Sequence, residues 1–207
     1  MIPIDYYITP NSPWTYLGAA AFKQLAAQYG ATVKVKPADF GEVFSKTGGL
    51  PLPKRSDERK AYRMMELKRW RTFLNIPIVL EPAHFGTNTR PASEAICAAQ
   101  AAGLNALGLS LEVGRACWER EEDLAETSVI DAAAQRAGID LDAFHAARGE
   151  HDGAALFAAN TAEALAHGVF GAPAYVFEDG AEWFWGQDRL DFVEQKLQVL
   201  SGRLTKG

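Results

Sequence analysis

The sequence is short of cysteine, of basic charge and of long apolar runs, and each shortage excludes a class of protein. Its two cysteines, Cys97 and Cys117, lie twenty residues apart, so the chain has no C-x-x-C pair for dithiol chemistry. We expect both to be reduced core residues, with a structural disulfide as the alternative. The formal net charge of -5 argues against a general nucleic-acid binder.

Membrane, nucleotide and metal signatures are also missing. No apolar run approaches the roughly 18 residues that span a bilayer. The N-terminus has no basic segment followed by a long apolar one, so we expect no signal peptide and a cytoplasmic location. Neither G-x-G-x-x-G nor G-x-x-x-x-G-K-[ST] occurs, which leaves nucleotide binding unsupported. The histidines show no H-x-x-x-H or neighbouring cysteine pattern, and we expect no metal site.

The most informative stretch runs from Asp5 to Gly18 and reads D-Y-Y-I-T-P-N-S-P-W-T-Y-L-G. Its apolar beginning predicts a buried strand, and the strand leads through a short polar corner into a helix. Ser12 suits the N-cap of that helix, and Pro13 suits its first turn, where an amide has no intrahelical partner.

The start of this helix is a candidate binding site for an anion. Thr15 falls at the third helical position, where the amides still point out of the helix end beside the Ser12 hydroxyl. Such an end carries a partial positive charge of about half a unit. The alternative is that Ser-Pro only caps the helix.

The remaining pattern is that of an α/β fold with a helical insertion. We predict a helix over 13–29 and an alternating strand over 32–37, which together with the first strand form a βαβ unit. Helices follow over 57–74, 92–102, 106–119, 122–137, 141–148 and 154–167. Strands over 172–177 and 182–185 then form a hairpin, and a last helix covers 188–200.

This order is that of a thioredoxin-like, DsbA-type sheet interrupted by an all-helical domain. We therefore predict a thioredoxin-like domain made of residues 1–38 and 168–207. Residues 39–167 are predicted to form the helical insertion.

Three separated motifs carry a more specific resemblance. They are S-P-W-T-Y-L-G from Ser12, N-T-A-E-A-L-A-H-G-V-F-G-A-P from Asn160, and W-G-Q-D-R-L from Trp185. The chain resembles the kappa-class glutathione transferases and, more closely, the bacterial 2-hydroxychromene-2-carboxylate isomerases, which share a DsbA-like fold. The resemblance covers nearly the whole chain, including T-G-G-L-P-L-P-K-R and Y-R-M-M-E-L-K-R-W.

The resemblance implies that glutathione is the cofactor and that the Ser12 hydroxyl contacts its sulfur. A thiolate is favoured at a helix N-terminus beside a hydroxyl donor. The resemblance also implies a cis bond before Pro173, a free Ala172 backbone that pairs with glutathione, and binding of its γ-glutamyl end by Gln187 and Asp188. Asp188 is also a candidate N-cap of the last helix. The expected glutathione site comprises Ser12, Pro13, Trp14, Ala172, Pro173, Trp185, Gly186, Gln187 and Asp188.

The basic charge is concentrated in one segment. Residues 54–71 contain eight basic and three acidic side chains, and most of them suit a solvated helix face. Lys46, Lys54 and Arg55 are instead predicted to lie in a Gly/Pro-rich loop. There they suit the carboxylate of the aromatic 2-oxo acid substrate that the resemblance implies, and we expect them to bind it and to stabilise enolate charge.

The resemblance implies an isomerase that converts 2-hydroxychromene-2-carboxylate to trans-o-hydroxybenzylidenepyruvate in naphthalene-type degradation, through thiolate addition, bond rotation and loss of the thiolate. A kappa-like glutathione transferase or peroxidase is one alternative. Another is a non-catalytic or disulfide-handling DsbA-type protein that binds peptides along the Pro173 edge. Relatives of this kind are commonly dimers, so we expect a homodimer.

Overall fold

The computed structural model describes residues 1–204, apart from the Asp179 side chain, and has the mixed α/β architecture that the sequence predicts. The strands are β1 (Ile2–Ile8), β2 (Ala31–Pro37), β3 (Ala174–Phe177) and β4 (Glu182–Trp185). The α-helices of this part of the chain are α1 (Pro13–Gln28), α2 (Phe40–Thr47), α3 (Asp57–Leu74), α4 (Arg90–Ala101), α5 (Ala106–Trp118), α6 (Thr127–Arg136), α7 (Leu141–Glu150), α8 (Gly153–Ala166) and α9 (Leu190–Leu200). Short 3-10 turns lie at Leu52–Lys54, Glu178–Gly180 and Gln187–Arg189.

The four strands form one sheet in the order β2-β1-β3-β4. The central strand β1 pairs in parallel with β2, where Tyr6 lies opposite Val35, and antiparallel with β3, where Tyr6 lies opposite Tyr175. The antiparallel pairing of β3 with β4 completes the sheet. The predicted βαβ unit and the predicted hairpin are therefore both confirmed.

Alternate residues of the strands face opposite sides of the sheet, as the two-residue repeat of a strand requires. Tyr6 and Tyr175 pack on one side, in the cluster that contains Phe22 of α1 and Leu197 of α9. Tyr7 packs on the other side, in a smaller cluster with residues of α2 and α8. Helices cover both faces of the sheet, so the ends of the strands remain its accessible part.

The larger cluster extends from the sheet into the helices of the middle of the chain. Leu67 of α3, Ile96 of α4, Trp118 of α5 and Phe144 of α7 are fully buried members of it. Sheet and helices thus share one apolar core. The division into residues 1–38 with 168–207, and 39–167, stays a prediction.

Several boundaries differ from the prediction, most of all the start of α6, which lies at Thr127 and not at 122, and the start of β3, which lies at Ala174 and not at 172. The last helix begins at Leu190 because Gln187–Arg189 form a 3-10 turn before it. α2 was not predicted as a helix, although Asp39 caps it by accepting hydrogen bonds from the Gly41 and Glu42 amides. Gly48 ends α2 in the left-handed conformation at φ 81°.

No helix within residues 1–204 combines the length and the apolar character needed to cross a membrane.

Candidate active site

The corner after β1 has the predicted geometry. Ser12 is the N-cap of α1, and its Oγ accepts a hydrogen bond from the Thr15 amide at 3.2 Å. The Ser12 amide donates to the Thr9 carbonyl at 3.0 Å, which closes the turn between strand and helix. Pro13 occupies the first helical position, where its missing N–H leaves no hydrogen bond unmade.

The end of α1 keeps its positive partial charge and two hydroxyl groups. The first turn of α1 contains no acidic residue. Ser12 Oγ acts as an acceptor towards Thr15, so the Ser12 hydroxyl proton remains available as a donor. Thr15 is only 5% exposed, and its Oγ1 has no hydrogen-bond partner within residues 1–204. This donor set fits the sulfur of a thiolate, which accepts hydrogen bonds and carries negative charge.

The loop before β3 lies beside this corner. Tyr7 of β1 pairs with Ala174, so the two residues that precede Ala174 lie level with the end of β1, where the corner begins. The Ala172–Pro173 bond is cis, as predicted. Within residues 1–204 we find no hydrogen bond to the Ala172 backbone, whereas the Pro173 carbonyl accepts one from the Gly186 amide at 2.9 Å.

The segment after β4 approaches α1 closely at Gly18. A Cβ atom added to Gly18 would lie 2.7 Å from Gln187 Cβ and 3.1 Å from the Tyr175 hydroxyl, so only glycine fits there. Gln187 is 6% exposed and closes this contact. Gly186 adopts φ 108°, a conformation that side chains other than glycine rarely take.

Asp188 does not cap the last helix, which corrects the sequence-based prediction. Arg189 occupies the cap position of α9 and makes no side-chain cap hydrogen bond. The Asp188 carboxylate is exposed and lies 3.5 Å from the Arg189 guanidinium. Asp188 lies inside the 3-10 turn Gln187–Arg189 that directly precedes α9, so the cap position falls to Arg189.

Two exposed aromatic side chains, Phe170 and Trp185, lie beside the loop before β3. Trp185 is 51% exposed, and its ring contacts that of Phe170 edge-on at 4.8 Å between centroids. Trp14, in the first turn of α1, is half-buried and packs against the larger core cluster. Gly171 lies so close to the Trp185 indole nitrogen that a side chain there would collide with it.

The three basic residues predicted to bind substrate lie in different environments. Lys46 lies on α2 and not in a loop, and its ammonium pairs with Glu42 one turn earlier at 2.6 Å. The predicted loop position of Lys46 was wrong because α2, which Asp39 caps and Gly48 ends, was not recognised as a helix. Lys54 is exposed at the end of a 3-10 turn. Arg55 follows it, is half-buried, and donates from Nε to the Leu50 carbonyl at 2.8 Å.

A family model described as a DSBA-like thioredoxin domain matches residues 3–198. The chain belongs to the DsbA-like thioredoxin family. The capped helix and the cis-proline described above lie within the matched residues, as does β1 apart from Ile2.

Individual relatives agree with this DsbA-like assignment. A protein of Sphingobium xenophagum named 2-hydroxychromene-2-carboxylate isomerase is 29% identical over 197 residues, which cover 94% of this chain and 97% of that protein. A solved structure of a 2-hydroxychromene-2-carboxylate isomerase superposes with a TM-score of 0.79 at 25% identity, and covers 99% of this chain and 100% of that one. Glutathione S-transferase kappa 1 of Caenorhabditis elegans is 32% identical over 80 residues, 38% of this chain and 35% of that protein.

The two cysteines of this DsbA-like protein are core residues, as predicted. Cys97 and Cys117 are free and buried, and burial raises the pKa of each thiol to about 12. A thiol with such a pKa is almost entirely protonated at neutral pH and reacts slowly.

One group of side chains has ligand types that suit a metal ion, but it already contains a cation. Asp5, Glu163 and His167 place ligand atoms within 4.8 Å of one another. The Lys36 ammonium lies 3.0 Å from Asp5 Oδ2 and 2.5 Å from Glu163 Oε2. We therefore assign this half-buried group to an ion-pair network around Lys36 and not to a metal.

Sequence reasoning missed two residues that the structure places together. Arg63 is half-buried on α3, and its guanidinium carbon lies 5.6 Å from the centre of the Phe85 ring. The spacing of Arg59 and Arg63 by four residues was the available signal, since residues four apart lie on one side of a helix. No sequence signal places Phe85 beside them.

Proposed function

We propose that this DsbA-like protein is a glutathione-dependent isomerase that converts 2-hydroxychromene-2-carboxylate to trans-o-hydroxybenzylidenepyruvate. The names of its full-length relatives support the reaction, and the observation that carries the proposal is the donor set at the start of α1. There the Ser12 hydroxyl has a free proton and the buried Thr15 hydroxyl has no partner.

In this proposal the chain's own residues hold and activate the cofactor. When bound, glutathione supplies a thiolate nucleophile for reversible addition to a conjugated double bond. The Ser12 hydroxyl donates to the sulfur, and the helix end stabilises its negative charge. A charge-assisted hydrogen bond of this kind contributes about 1.5–3 kcal/mol, or roughly one to two pKa units. Ser12 is a hydrogen-bond donor here and not a nucleophile.

The rest of the glutathione site follows from the neighbouring loops. The Ala172 backbone offers an N–H and a C=O that can pair with the cysteinyl backbone like an additional strand. The exposed Asp188 carboxylate suits the γ-glutamyl ammonium, and Gln187 lies beside it. Pro13, Trp14, Pro173, Trp185 and Gly186 shape the cleft around these groups.

A time course with the chromene acid tests the proposal. The ultraviolet spectrum of 2-hydroxychromene-2-carboxylate should change to that of the open-chain trans acid when protein and glutathione are both present. Omitting either one should stop the enzymatic change. Isomerisation at the full rate without glutathione would refute the role of Ser12 and Thr15.

A kappa-like glutathione transferase is the second candidate, since a kappa transferase is among the relatives. The two activities share Ser12 and differ in the product. Mass spectrometry of the reaction with an electrophile such as chlorodinitrobenzene distinguishes them, because a transferase releases the glutathione conjugate together with chloride, whereas an isomerase without transferase activity leaves chlorodinitrobenzene unchanged. The high pKa of both cysteines disfavours a disulfide-handling role, which a dithiol assay without glutathione tests.

We also propose that the protein is a cytoplasmic homodimer. Light scattering of the purified protein measures the mass of the particle and tests the dimer. Fractionation of the producing cells tests the location.

A further inference from the structure

The helix α3 carries apolar side chains on two different sides. The side that faces the protein consists of Leu67, which is fully buried, and of Trp70 and Leu74, which pack against the larger core cluster. These positions are three and four residues apart, which is the spacing of one helix face. Leu67 is the one residue of α3 that is buried, although the helix is 18 residues long. The core therefore accounts for a single side of this helix.

A second group of apolar side chains, here called the outer stripe, consists of Tyr62, Met65 and Phe73. These residues also recur at helical spacing, and Arg69 lies on the same side between them. Tyr62 is 56% exposed, Met65 46% and Phe73 79%, which makes Phe73 the most exposed aromatic residue within residues 1–204. Three large apolar side chains on one exposed helix face indicate a surface that packs against another protein.

The charges beside the outer stripe make it complementary to a second copy of itself. Glu66 and Arg69 form an ion pair within α3, one turn apart. If a second α3 runs antiparallel about a twofold axis midway between these two positions, Glu66 lies opposite Arg69 of the partner subunit. The same axis places Tyr62 opposite Phe73 of the partner subunit, because both pairs are centred on the same point of the helix.

The direction of this pairing follows from the same charges. In a parallel arrangement with the helices in register, each of these charges would lie opposite the identical charge of the other copy, and like charges repel. The antiparallel arrangement instead places two pairs of opposite charge at the centre of the interface. The aromatic residues Tyr62 and Phe73 then lie at its two ends. A twofold interface has to be self-complementary in this way, since both copies use the same surface.

We propose that the outer stripe of α3 packs antiparallel against the outer stripe of a second copy of this chain. Burial of Tyr62, Met65 and Phe73 removes their apolar surface from water and stabilises the dimer. The pairs between Glu66 and Arg69 of the partner subunit fix the direction and register of the two helices. The proposal assigns a surface and a register to the homodimer proposed above, and it does not depend on the isomerase reaction.

Sedimentation velocity over a series of protein concentrations measures the dissociation constant of the dimer. The wild type should sediment at twice the chain mass of 22.5 kDa. Phe73→Lys should raise the dissociation constant about tenfold or more, because each copy loses an apolar contact. Phe192→Lys is the matched control, since Phe192 is 52% exposed but lies on α9, and it should leave the constant within about twofold. A wild type that stays monomeric across the series, or equal constants in the two variants, overturns the proposal.

Reversing the charges tests the register itself. Glu66→Arg leaves two positive charges at the centre of the stripe, and Arg69→Glu leaves two negative charges, so each variant alone should dissociate. An equimolar mixture should form a heterodimer, because the two chains then present opposite charges to each other. Native mass spectrometry distinguishes the heterodimer from both homodimers by mass. Failure of the mixture to associate, while circular dichroism shows both chains folded, contradicts the antiparallel pairing.

An isomerase assay on the same proteins separates this proposal from the proposed function. If the wild type dimerises through α3 but does not convert the chromene acid, the proposed function fails and the interface stands. If the wild type is an active monomer, the interface fails and the function stands.

Discussion

The Thr15 amide donates a hydrogen bond to Ser12 Oγ at 3.2 Å, across the first turn of α1. This bond uses the serine oxygen as an acceptor and leaves the hydroxyl proton free to donate. One residue can therefore both cap the helix and act as the donor proposed for the candidate site.

Replacing Ser12 separates these two roles. Ser12→Ala removes cap and donor, and should lower the free energy of unfolding by about 1 kcal/mol and the isomerase rate about tenfold or more. Ser12→Asp keeps a cap acceptor but places a negative charge beside the sulfur. It should melt close to the wild type and lose activity, because the carboxylate repels a thiolate. Full activity in Ser12→Asp contradicts the proposed donor role.

Because Gly18 lies against Gln187, we predict that adding one methyl group at Gly18 lowers the stability of the protein. Gly18→Ala would place its Cβ 2.7 Å from Gln187 Cβ, and should destabilise the protein by about 1–3 kcal/mol while weakening glutathione binding. Gly149→Ala is the control. Gly149 lies exposed in α7 with nothing within 4 Å of an added Cβ, so alanine should stabilise by about 0.5–1 kcal/mol. Urea denaturation measures both, and equal effects would contradict the close packing at Gly18.

We predict that removing the Tyr175 hydroxyl does not destabilise the protein. It is fully buried without a hydrogen-bond partner within residues 1–204, so Tyr175→Phe removes an unpaired polar group and should leave stability unchanged or raise it by about 1–2 kcal/mol. Tyr16→Phe is the comparison. The Tyr16 hydroxyl contacts the Pro77 carbonyl and Glu119 Oε1, each at 2.6 Å, so its removal should cost about 1–2 kcal/mol. A larger loss in Tyr175→Phe than in Tyr16→Phe would show that the Tyr175 hydroxyl is paired in solution.

Lys36 forms ion pairs with Asp5 and Glu163, here called the Lys36 network. We predict that this network makes the free energy of unfolding depend on pH. Burial alone would raise the pKa of Glu163, but hydrogen bonding and charge from Lys36 lower it below its usual 4.5. A lowered folded-state pKa means that the stabilisation is complete above pH of about 4.5 and is lost as pH falls through the folded value. In Glu163→Gln the free energy of unfolding should fall less steeply as the pH decreases.

Measurements of the free energy of unfolding between pH 3 and 7 check this prediction. Glu42→Gln, which removes the exposed partner of Lys46, serves as the control and should leave the decline unchanged. Lys36→Met should destabilise by about 2–4 kcal/mol at pH 7, because Lys36 is 13% exposed and faces two carboxylates. If the free energy of unfolding falls equally with decreasing pH in the wild type and in Glu163→Gln, then Glu163 does not stabilise the protein through this network.

Structural features that depend on residues within one or two helical turns of each other were predicted well. The bounds of α3 were predicted correctly, from Asp57 to Leu74, because an apolar repeat and its ends are encoded in adjacent residues. The Ser12 cap depends on a contact three residues along the chain. The cis bond before Pro173 came from resemblance to a family and not from local propensity.

Errors arose where short elements compete with loops. Lys46 was expected in a loop, since an eight-residue helix leaves little periodicity to detect. The start of α9 was placed two residues early because Asp188 resembles a cap, whereas a 3-10 turn satisfies the backbone there. Propensity is a weak guide when only a few residues contribute to it.

The sequence alone determined the α/β order, the capped helix at Ser12 and the absence of a C-x-x-C pair, because each depends on residues that are neighbours in the chain. Only the tertiary structure decided that Gly18 meets Gln187, that Arg63 lies beside Phe85, and that Lys36 lies between Asp5 and Glu163. Such contacts join segments far apart in sequence. Which segments meet is set by how helices and sheet pack into one core, and local patterns do not encode that packing.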